Sequence, residues 1–246
     1  MERVISYDTL RFFAYSNDKI CSFPIKGIVL DFFGLGGQQM FNDDTQMGKE
    51  LAKEGILLLI PYNNPWAWMN AQAVRYTDEI VNTIIDKYSL DEKVPIVSSG
   101  GSMGGLSALI YTRYAEHTPV ACIANCPVCD LPYHYTERPD LPRTLYSAFY
   151  YSAADNIDEA MKAASPLHLV NEMPDVDYYI FHCENDSSVN IKRHSERFVS
   201  EMQKRHRIRY YTVPGRDHCD LDEKSKKLYN DYMVNAIIVC SDKPRR

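Results

Sequence analysis

Short apolar runs alternate along this chain with longer segments in which apolar residues recur every three or four positions. The short runs predict strands, and the helical spacing predicts amphipathic helices. The predicted strands are 4–14, as an antiparallel edge, and 25–33, 55–62, 93–98, 119–124, 177–182 and 207–213. The predicted helices are 39–53, 73–88, 103–114, 190–205 and 220–239. Nearly continuous apolar strands that alternate with helices indicate a mostly parallel sheet covered on both faces.

One long segment interrupts this alternation. Residues 129–169 separate two predicted strands and are rich in Tyr, Pro and Phe. A segment of this length in a compact domain commonly has a structure or function of its own. We therefore predict one α/β domain over residues 1–246, with a doubly wound, mostly parallel sheet and a helical cap or lid insertion at about 130–168.

A glycine-rich stretch, SSGGSMGG, covers residues 98–105 after the third predicted parallel strand. Gly100-Gly101-Ser102-Met103-Gly104 matches G-x-S-x-G between a strand and a helix, which is the context of a nucleophile elbow. Small residues around Ser102 allow the sharp turn, and the Met103 N–H can face a developing oxyanion. A phosphate-binding loop would need a G-K-[ST] ending that is absent here, and a dinucleotide fingerprint normally lies on an early strand.

A nucleophilic serine needs a base, and an acid must orient that base. The elbow predicts the chain order serine, acid, histidine, each in a loop after a strand. Asp186 and His218 follow the last two predicted strands and meet this order. We expect His182 to be packed within its strand and His194 to be solvated on a charged helix. The competing candidates are Asp177, Glu184 and Asp217 for the acid, and His182 and His194 for the base.

An oxyanion hole needs a second backbone donor from the loop after an earlier strand. Phe33-Gly34-Leu35-Gly36-Gly37 follows the strand 25–33 and has three glycines that let the backbone curl toward a substrate oxygen. We predict the Leu35 N–H as this donor, with the Gly36 N–H as the next candidate. A glycine-rich turn that binds no ligand is the alternative interpretation.

Aromatic residues indicate where a substrate could bind. Trp66 and Trp68 lie in a polar, Pro-containing loop after the strand 55–62. They are expected either to line an acyl or aromatic pocket or to pack under the insertion. Tyr133 and Tyr150 belong to the aromatic residues of the insertion. For these, a lid over the serine, helical core packing and a homodimer contact are the three interpretations.

Composition and charge narrow the classes of partner. Hydrophobic content of 45% and charged content of 24% are typical of a globular protein, and a net charge of -6 argues against a nucleic-acid partner. No apolar run approaches the roughly 18 residues of a membrane helix, and the N-terminal segment does not resemble a signal peptide. Seven cysteines without a secretory signal fit reduced thiols, so we expect a cytoplasmic protein with no membrane partner.

The cysteines raise the question of a metal. Cys122-x3-Cys126-x2-Cys129 has the spacing of an iron–sulfur ligand set, but Cys122 lies in an apolar strand and free cysteine commonly behaves as a buried hydrophobe. No H-x3-H or paired C-x2-C occurs, and Cys219 beside His218 does not make a ligand pair. The sequence therefore predicts no metal and no cofactor.

Together these motifs resemble the α/β-hydrolase superfamily, and more narrowly its prolyl-oligopeptidase and dienelactone-hydrolase-like branch. The resemblance extends from about residue 25 to the end of the sequence and implies the α/β-hydrolase fold. Residues 100–105 match G-x-S-x-G-G, and 165–166 resemble the "SP" that precedes the acid-bearing strand. Residues 181–189 resemble HGxxDxxV, which places the acid on Asp186, and 215–218 resemble GxxH, which places the base on His218.

Two positions depart from the pattern of that branch. Phe33-Gly34 replaces a His-Gly pair before the oxyanion donor, so the sequence does not determine the shape of the oxyanion hole. His182-Cys183 replaces a His-Gly pair before the acid, so Cys183 narrows that turn.

The resemblance implies a serine hydrolase of carboxylic esters that uses an acyl-enzyme and no cofactor, acting on a small-molecule ester. A small peptidase acting on short peptides is the nearest alternative, and the absence of a large N-terminal propeller favours the esterase. A non-catalytic ligand-binding protein is a third hypothesis. A peptidase would need an acidic anchor for a charged terminus, and the candidates in the insertion are Glu137, Asp155, Asp158 and Glu159.

Overall fold

The computed structural model describes residues 4–151 and 156–241. Its strands are β1 (Ala14–Ser16), β2 (Gly27–Phe32), β3 (Ile56–Pro61), β4 (Ile96–Gly101), β5 (Ala121–Asn125), β6 (Asp177–Cys183) and β7 (Ile208–Val213). Its α-helices are α1 (Gln46–Lys53), α2 (Ala71–Tyr88), α3 (Met103–Tyr114), α4 (Leu131–Glu137), α5 (Leu141–Phe149), α6 (Ile157–Lys162), α7 (Ser195–Met202) and α8 (Glu223–Ser241). Short 3-10 helices are Leu10–Phe12, Pro166–His168 and Val170–Glu172.

Within these residues the strands form one sheet in the order β1-β3-β2-β4-β5-β6-β7. β1 is antiparallel to β3, and every other neighbouring pair is parallel. The arrangement confirms the predicted doubly wound, mostly parallel sheet. Because parallel strands end at one edge of the sheet, the loops after β2, β4, β6 and β7 meet there.

The sheet is covered on both faces because its strands are apolar on both. In β2, Ile28 and Leu30 pack into the buried cluster that includes Ile80 of α2, while Val29 packs into the cluster that includes Ile237 of α8. Helices α2, α3 and α7 thus cover one face, and α8 with much of α1 covers the other. No helix in the described part of the chain has the length and apolar character needed to cross a membrane.

Helices α1, α7 and α8 begin later than the periodicity predicts, because polar side chains satisfy backbone N–H groups near their starts. Thr45 Oγ1 accepts the Gly48 N–H at 2.9 Å, which sets the first turn of α1. Before α7, Asn190 Oδ1 accepts the Lys192 N–H at 3.1 Å and holds a turn in place of helix.

Two strand predictions also needed correction. The antiparallel edge exists, but it is confined to β1, and the preceding Leu10–Phe12 is a 3-10 helix. β4 begins and ends later than predicted, since it continues through Gly100 and Gly101. There it pairs with Phe32 of β2 and with Asn125 of β5, so strands on both sides impose an extended backbone on residues of low strand propensity.

The predicted insertion is helical and consists of α4, α5, α6 and the 3-10 helix Pro166–His168. Leu131, Leu141 and Met161 from these helices belong to the same buried cluster as Ile28 of β2. The insertion is therefore packed onto the body of the protein. Its function as a lid over Ser102 stays a prediction.

A mostly buried carboxylate joins the insertion to the chain that follows β6. Glu137 Oε2 accepts hydrogen bonds from His134 Nδ1 at 2.6 Å and His194 Nε2 at 3.0 Å, and its Oε1 accepts the Asn190 N–H at 2.9 Å. The opposite nitrogen of His194, Nδ1, accepts the Cys129 N–H at 3.0 Å. His194 is fully buried in this network, so the expectation that it is solvated was wrong.

We predict that Glu137→Gln lowers the free energy of unfolding by about 3 kcal/mol at pH 7. Burial raises the pKa of Glu137, but the hydrogen bonds from His134 and His194 outweigh it and lower the pKa from 4.5 to about 2. A depressed carboxyl pKa stabilises the fold above the unfolded value and loses that contribution as the pH falls toward the folded value. The difference between variant and wild type should therefore narrow from about pH 4.5 toward pH 2.

Urea unfolding at several pH values measures this difference. Glu201→Gln is the matched control, because Glu201 forms an exposed pair with Lys204 and its loss should cost at most about 1 kcal/mol. A loss at Glu137 as small as at Glu201, or one that does not change with pH, would contradict the prediction.

Candidate active site

Ser102 joins β4 to α3 with a backbone φ of 59° and ψ of -124°, in the left-handed half of conformational space that only glycine enters freely. The neighbouring glycines make this turn possible. A Cβ on Gly104 would lie 2.1 Å from the carbonyl oxygen of Phe32, and one on Gly100 would lie 2.5 Å from the carbonyl oxygen of Gly104. Neither position has room for a side chain, so glycine is needed where the strand and the helix approach each other. The chain therefore turns within Ser102.

The backbone of the elbow is held by the neighbouring strand. Ser102 N–H donates to the Asn125 carbonyl at 2.9 Å, and the Ser102 carbonyl accepts the Leu106 N–H at 3.1 Å. The side-chain amide of Asn125 in turn donates to the Cys219 carbonyl at 3.2 Å. Asn125 thereby connects the turn at Ser102 to the loop after β7.

The loops after β6 and β7 bring Asp186 and His218 together. His218 Nδ1 lies 2.7 Å from Asp186 Oδ2, and the side chain of Asp186 is fully buried. Asp186 Oδ1 accepts the N–H groups of Ser188 and Val189, each at 2.8 Å. Because an ionised carboxylate can only accept, the shared proton is on Nδ1, and Nε2 is the nitrogen whose proton His218 gains or loses.

The ionisation states follow from these contacts. Burial raises the pKa of Asp186, but the hydrogen bonds from His182 and His218 outweigh burial and hold the pKa well below its usual range. Burial lowers the pKa of His218, and the hydrogen bond to Asp186 reverses that effect and raises the pKa to about 9. The pair therefore consists of an ionised carboxylate and an imidazole of increased basicity.

The competing acids lie elsewhere or have other partners. Asp177 begins β6, at the opposite end of that strand from Asp186, and lies 3.4 Å from Arg207 Nε. Asp217 accepts both the backbone N–H and the hydroxyl of Ser187 at 2.9 Å. Glu184 is exposed. Asp217 also accepts the His218 backbone N–H at 2.7 Å, but of the four acids Asp186 is the one that contacts the imidazole ring of His218.

Two candidate oxyanion donors lie beside Ser102. A Cβ on Gly34 would lie 3.8 Å from Ser102 Cβ, so the loop after β2 runs next to the serine. The Gly36 N–H donates to the Pro65 carbonyl at 3.0 Å, whereas the Leu35 N–H has no acceptor among the described residues. Met103 is the first residue of α3, so its N–H has no intrahelical acceptor. The contacts favour Leu35 and Met103 as donors over Gly36.

Ser102 and His218 do not form a hydrogen bond in the described residues. Within the described residues Ser102 Oγ has no hydrogen-bond partner, and His218 Nε2 lies 3.7 Å from Cys219 Sγ. Catalytic hydrogen bonds of this kind commonly tighten only when the substrate is bound.

The two tryptophans have different environments. Trp68 is only 1% exposed, and its Nε1 donates to Thr144 Oγ1 of the insertion at 3.1 Å. Trp68 therefore packs under the insertion, which was one of the two expectations, and a substrate-binding role for it stays a prediction. Trp66 is 41% exposed and lines a cleft of about 300 Å³. The other side chains along this cleft are Tyr62, Asn63, Asn64, Ala67, Asn70, Gln72, Ala73, Tyr76, Ser147 and Ala148.

This cleft leads toward the oxyanion loop. Asn63, Asn64 and Ala67 line both the cleft and a narrow crevice of about 10 Å³ that reaches Gly37 and Met103. The cleft is thus connected to the elbow through the residues that it shares with this crevice.

The two predicted tyrosines do not line this cleft. Tyr133 packs against the ring of His194, with the guanidinium of Arg193 5.3 Å from its centroid. Tyr150 is 57% exposed and packs against Tyr146 and Tyr151. A substrate-binding role for either residue stays a prediction.

Sequence reasoning missed one residue that touches the candidate acid. His182 is fully buried, and its Nε2 lies 3.1 Å from Asp186 Oδ2 while its Nδ1 lies 2.6 Å from Ser195 Oγ. It was expected to be packed, and it is, but it also donates to the carboxylate. Its place four residues before Asp186, as the first residue of the HGxxDxxV-like motif, was the available signal.

Three groups of His, Cys and carboxylate residues within the described ranges have ligand atoms within 4.8 Å of one another. In two of these groups, the histidine nitrogen that would have to bind the metal carries a proton. His194 Nδ1 accepts backbone N–H groups, so its proton is on the Nε2 that faces Glu137. His182 Nε2 lies 3.1 Å from the Val189 carbonyl and therefore also carries a proton. The third group is Cys126, His218 and Cys219.

Comparison with protein families gives an independent finding. The sequence model of the prolyl oligopeptidase family matches residues 77–234, more than half of the chain. That range includes Ser102, Asp186 and His218. No curated protein matches the chain.

Solved structures share the fold at low sequence identity. Porphyromonas gingivalis dipeptidyl peptidase 4 is 14% identical with a TM-score of 0.64, over 87% of this chain and 31% of its own. A puromycin-hydrolyzing peptidase of Mycobacterium tuberculosis is 16% identical with a TM-score of 0.71, over 92% and 36%. An S-formylglutathione hydrolase from Agrobacterium tumefaciens is 15% identical with a TM-score of 0.63, over 88% and 84%. The chain spans about a third of the length of the dipeptidyl peptidase and of the puromycin-hydrolyzing peptidase. The structural similarity confirms the α/β-hydrolase fold.

We predict that Gly104→Ala lowers the free energy of unfolding by about 3 kcal/mol or more, because its Cβ would meet a backbone carbonyl that cannot move aside. Gly36→Ala is the matched control. A Cβ at Gly36 meets open space, and the cost there is the strain of its φ of 77°, about 1 kcal/mol. Urea unfolding of both variants measures the difference, and equal stability of the two would show that the close approach at Gly104 is not needed.

Proposed function

The chain belongs to the prolyl oligopeptidase family of serine hydrolases, and we propose that it hydrolyses carboxylic esters through an acyl-enzyme on Ser102. The observation that carries the ester assignment is the uncharged cleft next to the elbow. Its lining consists of aromatic, amide and small side chains, with no carboxylate, ammonium or guanidinium among them. Such a wall suits a neutral acyl or alcohol group, because an unpaired charge would lose its hydration there.

The first step is attack by Ser102 on the ester carbonyl. His218 Nε2 takes the hydroxyl proton as the new carbon–oxygen bond forms. Asp186 holds the ring in the tautomer that leaves Nε2 free to accept, and it stabilises the imidazolium.

The N–H groups of Leu35 and Met103 then bind the oxyanion of the tetrahedral intermediate. His218 returns the proton to the departing alcohol, which leaves an acyl group on Ser102. A water molecule, activated by the same imidazole, attacks the acyl carbon and releases the acid. No cofactor enters either half of this reaction.

The contacts of the acidic residues weigh against the alternative, a peptidase that anchors a charged amino terminus. Both oxygens of Glu137 are occupied within the fold. Asp158 and Glu159 are exposed and pair with Lys162 on α6. The fourth candidate, Asp155, lies outside the described residues.

We predict that a fluorophosphonate adds once to the wild-type protein and not to Ser102→Ala, as measured by intact-protein mass. Ester turnover by the variant should fall on the order of 10⁴-fold or more. Ser147→Ala is the matched control, since it removes a serine of the cleft and should keep the adduct. An adduct on Ser102→Ala would contradict the mechanism, and no adduct on any of the proteins would favour a non-catalytic binding protein.

Paired esters of one amino acid test the charge preference of the cleft. The N-acetylated ester should be hydrolysed with a kcat/KM about tenfold or more above that of the ester with a free α-ammonium group. The two substrates share the amino-acid skeleton and the leaving group, and they differ in the charge of the amine and in the acetyl group that neutralises it. Faster turnover of the free-amine ester, together with cleavage of the matching amide, would instead support the peptidase.

A further inference from the structure

Two cysteines adopt strained backbones beside the candidate base. Cys126, directly after β5, has a φ of 45°, and Cys219, directly after His218, has a φ of 59°. Non-glycine residues hold such angles only where the surrounding structure imposes them, commonly at functional sites. Here the angles bring together two thiols that are 93 positions apart in the sequence. With His218, they form the group whose ligand atoms all lie within 4.8 Å of one another.

We propose that Cys126, Cys219 and His218 Nε2 bind a thiophilic divalent cation such as Zn²⁺, and that the bound cation inhibits the hydrolase. The inhibitory part rests on the proposed function, whereas the binding part does not. On binding, each thiol loses its proton to solvent, and the two thiolates balance the charge of the cation.

The distances suit a tetrahedral zinc ion. Zn–S bonds of about 2.3 Å and Zn–N bonds of about 2.0 Å place sulfur and nitrogen about 3.6 Å apart at the tetrahedral angle. His218 Nε2 and Cys219 Sγ are 3.7 Å apart. The widest spacing in the group needs to contract by about 1 Å at most.

Hydrogen bonds around the group match those of known metal sites. A metal-bound histidine commonly donates its other ring N–H to a carboxylate, and His218 Nδ1 donates to Asp186 in this way. Cys126 Sγ accepts the N–H groups of Cys183 at 3.3 Å and Cys219 at 3.4 Å, so backbone donors already surround this sulfur. In contrast with His182 and His194, the ring proton of His218 that is held by an acceptor is on Nδ1, so Nε2 is the nitrogen available to a cation.

A cation can reach this site and would block catalysis there. The side chain of His218 is 23% exposed and Cys219 is half-buried, while Cys126 lies beneath them. The Nε2 lone pair that a metal uses is the one that must accept the Ser102 proton. Metal binding and hydrolysis therefore exclude each other.

Binding is tested by titrating the reduced, metal-free protein with Co²⁺ and Zn²⁺. One Co²⁺ per chain should give a thiolate charge-transfer absorption, which Zn²⁺ displaces. Cys219→Ser should weaken Zn²⁺ binding by more than about 100-fold, since losing even an outer hydrogen-bond partner commonly costs about 10- to 100-fold. Cys240→Ser, which removes a half-buried thiol of α8, should bind like wild type. No thiolate absorption, or equal binding by Cys219→Ser, would overturn the proposal.

Inhibition has its own readout. Zn²⁺ should prevent fluorophosphonate labelling of Ser102, and a chelator should restore it. Labelling that persists in the Zn²⁺-loaded protein would overturn the inhibitory part. Ser102→Ala should still bind Co²⁺ through the same thiolates, so failure of the proposed hydrolase activity is distinguishable from failure of the metal site.

Discussion

At Gly104, helix α3 lies against the end of β2 with no room for a side chain between them. A Cβ there would come within 2.1 Å of the Phe32 carbonyl oxygen. Because the helix starts so close to the strands, the chain has to reverse within Ser102, which takes the left-handed φ of 59°. Strain of this kind costs about 1–3 kcal/mol, which the packing of α3 against β4 and β5 offsets. The same approach leaves the Met103 N–H free and puts the loop after β2 beside the hydroxyl.

The carboxylate of Asp186 organises the other half of the site. It accepts hydrogen bonds from two imidazoles and two backbone amides, although its side chain is fully buried. Such a set of donors keeps the carboxylate ionised where burial alone would protonate it. It also fixes which nitrogen of His218 is basic. That nitrogen can act either as a general base or as a metal ligand. The thiols of Cys126 and Cys219 beside it supply the further ligands of the proposed cation site.

The carboxylate of Glu137 in the insertion is paired within the fold. Glu137 is occupied by His134, His194 and the Asn190 N–H, and this network joins α4 to the chain after β6. Trp68 packs beneath the insertion through Thr144 and does not line the cleft. The cleft beside the elbow therefore has a neutral wall of aromatic and amide groups, which fits an uncharged substrate better than a peptide terminus.

Sequence alone determined the order of strands and helices, the elbow around Ser102, and Asp186 and His218 as candidates, because each has a local signal in periodicity, glycine spacing or position after a strand. Element ends were less predictable, since side-chain caps such as Thr45 and strand pairing across Gly101 decide them. Only the tertiary structure decided that Trp68 and His194 are buried, that Pro65 engages the Gly36 N–H, and that Cys126 lies beside Cys219. Those outcomes depend on contacts between residues far apart in the chain, for which a single sequence has no period or spacing to read.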